Sequence, residues 1–297
     1  MRRSVIPAAA MFKGASGNML AGDVYGEDGP PVLLLHGGGQ TRHAWKKTAE
    51  LIAQMGRVAY AVDQRGHGDS EWIADGSYQY TDFAADARVL ADTLAERSGA
   101  RPVVVGASLG GMAALLANNR GGKDKSQHFS ALVLVDITPR VDIDGVAKIQ
   151  GFMRAHSKEG FGSIAEAADA VAAYLPHRPR PRSHEGLKKN LRLHPDGRWR
   201  WHWDPRFIDG NRRIGAGSED IVQALVAAAK NVTIPALLVR GASSELVQEE
   251  HAKDFLKLVP HARYIDVSGA RHMVAGDRND QFAKAIESFL KGVSGSI

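Results

Sequence analysis

Residues Val103 to Leu116 run through an apolar β-branched segment, the turn Gly106-Ala107-Ser108-Leu109-Gly110, and a small-residue helical segment from Gly111. A strand that reverses into a helix over five residues has few conformational solutions. A side chain at either flanking glycine would clash where the backbone doubles back. The central serine is lifted off the sheet, and the amides that open the helix can hold an anion. This stretch predicts a strand–turn–helix unit of an α/β sheet with a serine nucleophile at its turn.

The rest of the chain repeats the alternation. Short apolar runs at Val32–Leu35, Val58–Val62, Leu132–Val135, Ala236–Val239 and Ala262–Val267 read as strands. Nearly continuous apolar strands belong to a parallel sheet buried on both faces. Helix-length stretches lie between them at Trp45–Met55, Tyr80–Ser98, Gly111–Asn119, Glu249–Val259 and Asp280–Lys291. The fold class is therefore α/β, a mostly parallel doubly wound sheet. Right-handed crossovers bring the strand C-terminal ends to one edge, where such sheets place their sites.

The alternation breaks between about Pro139 and Ala229. We read residues 1–138 and 230–297 as the two parts of the core domain, and 139–229 as an inserted helical cap. Trp199, Trp201, Trp203 and Phe207 argue against a disordered linker there, because disordered segments are poor in aromatics. The tail from Gly292 reads as frayed.

Composition narrows the classes. With 44% hydrophobic and 24% charged residues, the 297-residue chain has a globular balance, not a disordered one. It has no cysteine, so disulfides, thiolate catalysis and cysteine metal sites are excluded, and a reducing compartment fits. No apolar run reaches the ~20 residues of a membrane helix. Met1 to Ala10 faintly resembles a signal peptide, but its apolar part is short and broken by Pro7. A cytoplasmic enzyme with a ragged N-terminus is expected. The net charge of +5 is concentrated partly in His177–Arg182 and Arg198–Arg213. It reads as a solvated basic surface, not as a nucleic-acid site.

A serine hydroxyl needs a base beside it. His272 follows the last strand-like run and can reach the edge that carries Ser108. The base needs an orienting carboxylate. Two acids sit at strand ends between Ser108 and His272: Glu245, which we favour, and Asp136, the alternative. Asp63 and Asp69 precede the serine in chain order. An oxyanion hole needs two backbone N–H groups. Leu109 supplies one, and Gly38 in Leu35-His36-Gly37-Gly38-Gly39 supplies the other.

Together these residues resemble the α/β-hydrolase superfamily over about Val32 to Lys291. The likeness rests on the glycine loop, on Asp63-Gln64-Arg65-Gly66-His67-Gly68-Asp69-Ser70 (a D-x-R-G-x-G-x-S turn), on the Ser108 elbow and on His272. Among subgroups the chain looks most like capped esterases and cofactor-free haloperoxidase-like members. In these the acid after the penultimate strand is usually an aspartate, where this chain reads Ser244-Glu245. A serine nucleophile argues against haloalkane dehalogenase and epoxide hydrolase activity, which use an aspartate.

The resemblance implies hydrolysis of an ester or lactone of a small, largely apolar molecule through an acyl-enzyme, with no metal or cofactor. C–C bond hydrolysis, cofactor-free perhydrolysis or haloperoxidation, and a non-catalytic ligand receptor are the alternatives. Expected partners are the small substrate alone, without nucleic acid or membrane, in a monomer or homodimer. For the pocket we expect Gly37, His43, Phe152, Met153, Tyr174, Met273 and the alternating Trp199, Trp201 and Trp203. An extended segment would place the three tryptophans on one face. Gln40 and His43 either meet a polar substrate group or cap the helix near Trp45.

Overall fold

A computed structural model describes residues 6–118, 127–176, 183–214, 218–274 and 279–294. Three expectations fall partly or wholly elsewhere. The signal-like Met1–Val5 and the basic tract His177–Arg182 lie outside the described residues, as do Gly295 to Ile297 of the tail.

The central sheet has eight strands in the order β1-β2-β4-β3-β5-β6-β9-β10. They are β1 Ala8–Lys13, β2 Met19–Tyr25, β3 Pro31–Leu35, β4 Val58–Val62, β5 Val103–Ala107, β6 Ala131–Val135, β9 Ala236–Gly241 and β10 Arg263–Val267. From β4 to β10 all neighbours are parallel, whereas β1–β2 and β2–β4 are antiparallel. Every residue of β3 and β6 is buried, as expected of strands covered on both faces. Alternate residues serve opposite layers. Leu33, Leu35 and Val104 join one core, while Val32, Leu34, Val103 and Val105 join the other.

Helices α1 (Lys46–Gln54) and α10 (Asn279–Ser294) cover one face, where Ala49 and Ile52 meet the layer of Phe282, Ile286 and Leu290. The opposite face is covered by α2 (Tyr80–Ser98), α3 (Leu109–Asn118), α8 (Glu219–Lys230) and α9 (Glu249–Leu258). Helix α2 has clear start and stop signals. Gln79 and Asp82 form a reciprocal capping box, and Gly99 ends the helix in the left-handed region at φ 72°.

The N-terminal hairpin was not anticipated, because β1 carries three alanines and is largely exposed. Its position is set by pairing with β2, which brings Phe12 opposite Leu20, both buried. Tertiary pairing overrides a weak local preference here.

Between β6 and β9 the described residues add no strand to the main sheet. It forms α4 (Ile143–Ala155), α5 (Ile164–Tyr174), α6 (Glu185–Lys188), the antiparallel pair β7 (Leu191–Leu193) and β8 (Trp199–Trp201), α7 (Arg206–Asp209) and α8. Asp142 caps α4 through a 2.8 Å bond from the Gly145 amide, and Ser163 caps α5 from the Glu166 amide at 3.1 Å. The sequence reading puts α8 inside the insertion. Its packing is against α3 and α9, in the layer that flanks the sheet. The inserted chain is tied to the turn after β4 by main-chain bonds: Gly68 N–H donates to His202 O at 2.7 Å, and Asp204 N–H to Gly66 O at 2.8 Å.

Candidate active site

Ser108 stands between β5 and α3 with φ of +47°, a left-handed conformation unusual for a residue with a side chain. Such backbone costs on the order of 1–3 kcal/mol and persists where its surroundings over-determine it. The surroundings here are tight. A Cβ on Gly106 would fall 2.4 Å from Gly110 O, and one on Gly110 would fall 2.3 Å from Leu35 O. Only glycine lets α3 fold back this closely over β5 and β3.

The loop after β3 supplies the second wall. Three of its four consecutive amides are engaged. Gly37 N–H donates to Gln40 Oε1 at 3.0 Å, Gly39 N–H to His67 Nε2 at 3.1 Å, and Gln40 N–H to Gly37 O at 3.1 Å. Among the described residues Gly38 N–H has no acceptor. The elbow shows the same asymmetry: Ser108 N–H donates to Val135 O at 3.2 Å, while Leu109 N–H has no acceptor among the described residues. Gly38 and Leu109 are in van der Waals reach, since a Cβ on Gly38 would lie 3.9 Å from Leu109 Cδ2.

The loop is held from behind by two buried histidines. His36 Nε2 accepts from Gln64 N–H at 3.0 Å, and its Nδ1 lies 2.8 Å from Gly37 O. His67 Nδ1 lies 2.9 Å from Arg65 O while its Nε2 takes the Gly39 amide. Each ring is a neutral tautomer with Nδ1–H donating and Nε2 accepting. Burial is the main cause that lowers both, His36 to about 4 and His67 to about 3; His67 is lowered further by its neighbour His36.

The histidine after β10 does not face the expected acid. His272 Nδ1 lies 2.7 Å from Asp136 Oδ2, and Asp136 is fully buried at the end of β6. Its carboxylate also accepts from Gly241 N–H at 2.9 Å and from Ser244 Oγ–H at 2.6 Å. Its own N–H donates to Val239 O at 2.7 Å, with φ at +50°. The favoured assignment of Glu245 is thus corrected: Asp136, the alternative, is the carboxylate on His272. The reason is strand adjacency. β6 lies beside β9, so the residue after β6 enters the loop that leaves β9, and Ser244 turns inward to bind it. Glu245 instead lines the cavity, with Oε2 sealed from water and unpartnered among the described residues.

These groups open on one cavity of about 560 Å³ lined by Gly37, Gly38, Ser108, Leu109, Glu245, His272 and Met273. Its outer wall comes from the insertion, with Phe152, Met153, Tyr174, Trp201 and Trp203, and His43 lies on the loop side. Trp199 is not in the wall among the described residues. Of the three tryptophans, Trp201 and Trp203 line the cavity, while Trp199 packs against the core and bridges Phe161 through its main chain. Gln40 caps no helix; its side chain bridges Gly37 N–H and Met273 Sδ, the latter at 3.0 Å.

Ser244, His67 and Gln40 are supporting residues that sequence reasoning assigned no such part. Ser244 sits beside Glu245 in the motif, but only the fold shows which of the two turns inward. Among the described residues no group of three or more His, Cys, Asp or Glu is placed to hold a metal ion, and no helix is long and apolar enough to cross a membrane.

Comparison with known proteins shows the family to which the chain belongs. The model of the alpha/beta hydrolase family matches residues 32–285. The chain is 32% identical over 275 residues to the esterase Rv0045c of Mycobacterium tuberculosis, covering 91% of this chain and 84% of that protein. It is 30% identical over 271 residues to the 2-(acetamidomethylene)succinate hydrolase of Mesorhizobium japonicum, covering 88% of each. Among solved structures, an E-2-(acetamidomethylene)succinate hydrolase superposes with a TM-score of 0.80 at 24% identity, covering 96% of this chain and 99% of the other. The M. tuberculosis esterase superposes with a TM-score of 0.74 at 27% identity, covering 97% and 93%.

Proposed function

Because this chain belongs to the alpha/beta hydrolase family and is a hydrolase, we propose that it cleaves a carboxylic ester or lactone through an acyl-enzyme on Ser108. The observation that carries the reading is the buried Asp136–His272 bond of 2.7 Å on the cavity that the strained Ser108 also lines. The esterase relative, at 32% identity over most of the chain, supports ester over C–C bond cleavage.

In this mechanism Asp136 fixes the His272 tautomer with its proton on Nδ1, which leaves Nε2 as the base. Nε2 takes the Ser108 proton as Oγ attacks the substrate carbonyl. Gly38 and Leu109, whose amides have no other acceptor among the described residues, donate to the tetrahedral oxyanion. The imidazolium protonates the departing alcohol. Water, deprotonated by the same nitrogen, then releases the acid and restores Ser108. No step calls for a metal or cofactor. The described residues between 139 and 214 act as a cap that walls the cavity with Phe152, Met153, Tyr174, Trp201 and Trp203, and so favours a small apolar acyl or alkyl group.

The test is covalent labelling. A fluorophosphonate probe should modify the wild-type chain at Ser108, and p-nitrophenyl butanoate should be hydrolysed. Ser108→Ala should lose both while keeping its Tm within a few degrees. Full ester turnover by that variant overturns the assignment.

A further inference from the structure

Glu245 is a carboxylate in the cavity wall that the acyl-transfer steps do not use. Its main chain is pinned: a Cβ on Gly145 of α4 would lie 2.2 Å from Glu245 O, so α4 and the loop after β9 are in close contact. Its Oε2 is shut off from water and has no hydrogen-bond partner among the described residues. No ion pair reaches it among the described residues. Lys189 lines the same cavity but bears on the His43 side, where its charge helps lower that imidazole. Arg271 is a further cation of the cavity lining.

One oxygen of this half-buried carboxylate lacks both water and a donor, which is unfavourable, and native proteins keep few such groups. Its surroundings say what would complete it. Tyr174 is near enough that, after burial, the Glu245 charge helps push its phenol up to about 12. The Tyr174 ring stacks on Phe152 with centroids 4.2 Å apart and planes 10° from parallel. Phe152 in turn meets Trp201 at 5.9 Å. Aromatic faces and a carboxylate around one space attract a cation, the faces through their quadrupoles and the carboxylate through its charge. A neutral donor would satisfy the oxygen but leave the charge uncompensated, and an anion would be repelled.

We infer that Glu245, with the Tyr174–Phe152 stack, forms a subsite for a positively charged nitrogen of the substrate, an alkylammonium carried on the ester. The inference rests on reading this cavity as the acyl-transfer site. It assigns to Glu245 a specificity role in place of the orienting role that Asp136 holds.

The test compares p-nitrophenyl 6-aminohexanoate with p-nitrophenyl heptanoate, in which a methyl replaces the ammonium. The kcat/KM ratio of the ammonium ester to the methyl ester should fall at least tenfold in Glu245→Gln. A change in that ratio under threefold, or an equal loss on both esters, overturns the subsite. A second measurement does not depend on turnover. Isothermal titration of Ser108→Ala with 6-aminohexanamide and with heptanamide gives the same preference as a ratio of Kd values. Adding Glu245→Gln to that variant should lower the preference for the ammonium amide at least tenfold, and an unchanged ratio sinks the inference. If the wild type hydrolyses neither ester, the acyl-transfer reading fails and the titration alone decides the subsite.

Discussion

At the scale of single residues, Asp136 and Glu245 show how differently two strand-end acids can be supported. Asp136 accepts from His272, Ser244 and the Gly241 amide, so its charge is fully partnered despite complete burial. Glu245 Oε2 has no such donor among the described residues. Asp136→Asn should therefore disturb the His272 tautomer and lower kcat by about 10⁴ with KM little changed. Steady-state kinetics on p-nitrophenyl butanoate reads this directly, and a loss below tenfold would remove Asp136 from the orienting role. The sequence narrowed the acid to these two positions, both at strand ends and both between Ser108 and His272. It did not separate them, because the choice depends on which side chain turns inward across two neighbouring strands. The Ser244-Glu245 pair resembled a familiar acid position, yet Ser244 proves to be the residue that braces the acid.

At the scale of elements, the glycine loop after β3 depends on the turn after β4. His67 takes the Gly39 amide and His36 takes the Gln64 amide, and both must be neutral to accept. Their folded-state values are lowered by burial, to about 3 and about 4, from an ordinary value of 6.5. An unfolded chain therefore binds protons below pH 6.5 that the folded chain refuses. Their stabilising effect is complete above pH 6.5. It is lost as pH falls, down to about 4 for His36 and about 3 for His67. The loss amounts to roughly 3 kcal/mol or more per ring over that window. Urea unfolding should show stability declining from pH 6.5 to pH 4. In His67→Gln the decline should be shallower, because one refused proton is gone. An identical slope in the variant would mean that His67 titrates freely in the folded chain.

At the scale of the whole molecule, Asp86 of α2 joins parts of the chain that are distant in sequence. It accepts two 2.6 Å bonds from Arg65 in the turn after β4, and one of 2.8 Å from Ala15 N–H in the β1–β2 hairpin. Arg65 and Asp86 are both buried, so removing one partner leaves an uncompensated charge. Asp86→Ala should lower unfolding stability by about 3–5 kcal/mol, measured by denaturant titration. A cost below about 1 kcal/mol would show that the hairpin, turn and helix are not held through this carboxylate.

What the sequence determined by itself is local. The β-branched runs, the glycine-flanked elbow at Ser108, the limits of α2 from Tyr80 to Ser98 and the strand β4 from Val58 to Val62 were all legible before the fold was known. Each depends on periodicity or on sterics among residues a few positions apart. Tertiary structure alone decided the rest. It paired Asp136 with His272 across 136 residues, sent Glu245 into the cavity, and made the alanine-rich N-terminus an edge strand. The physical reason is range. A hydrogen bond selects its partner within a few tenths of an ångström, and that distance is set by which strands lie side by side, not by what either residue's sequence neighbours are.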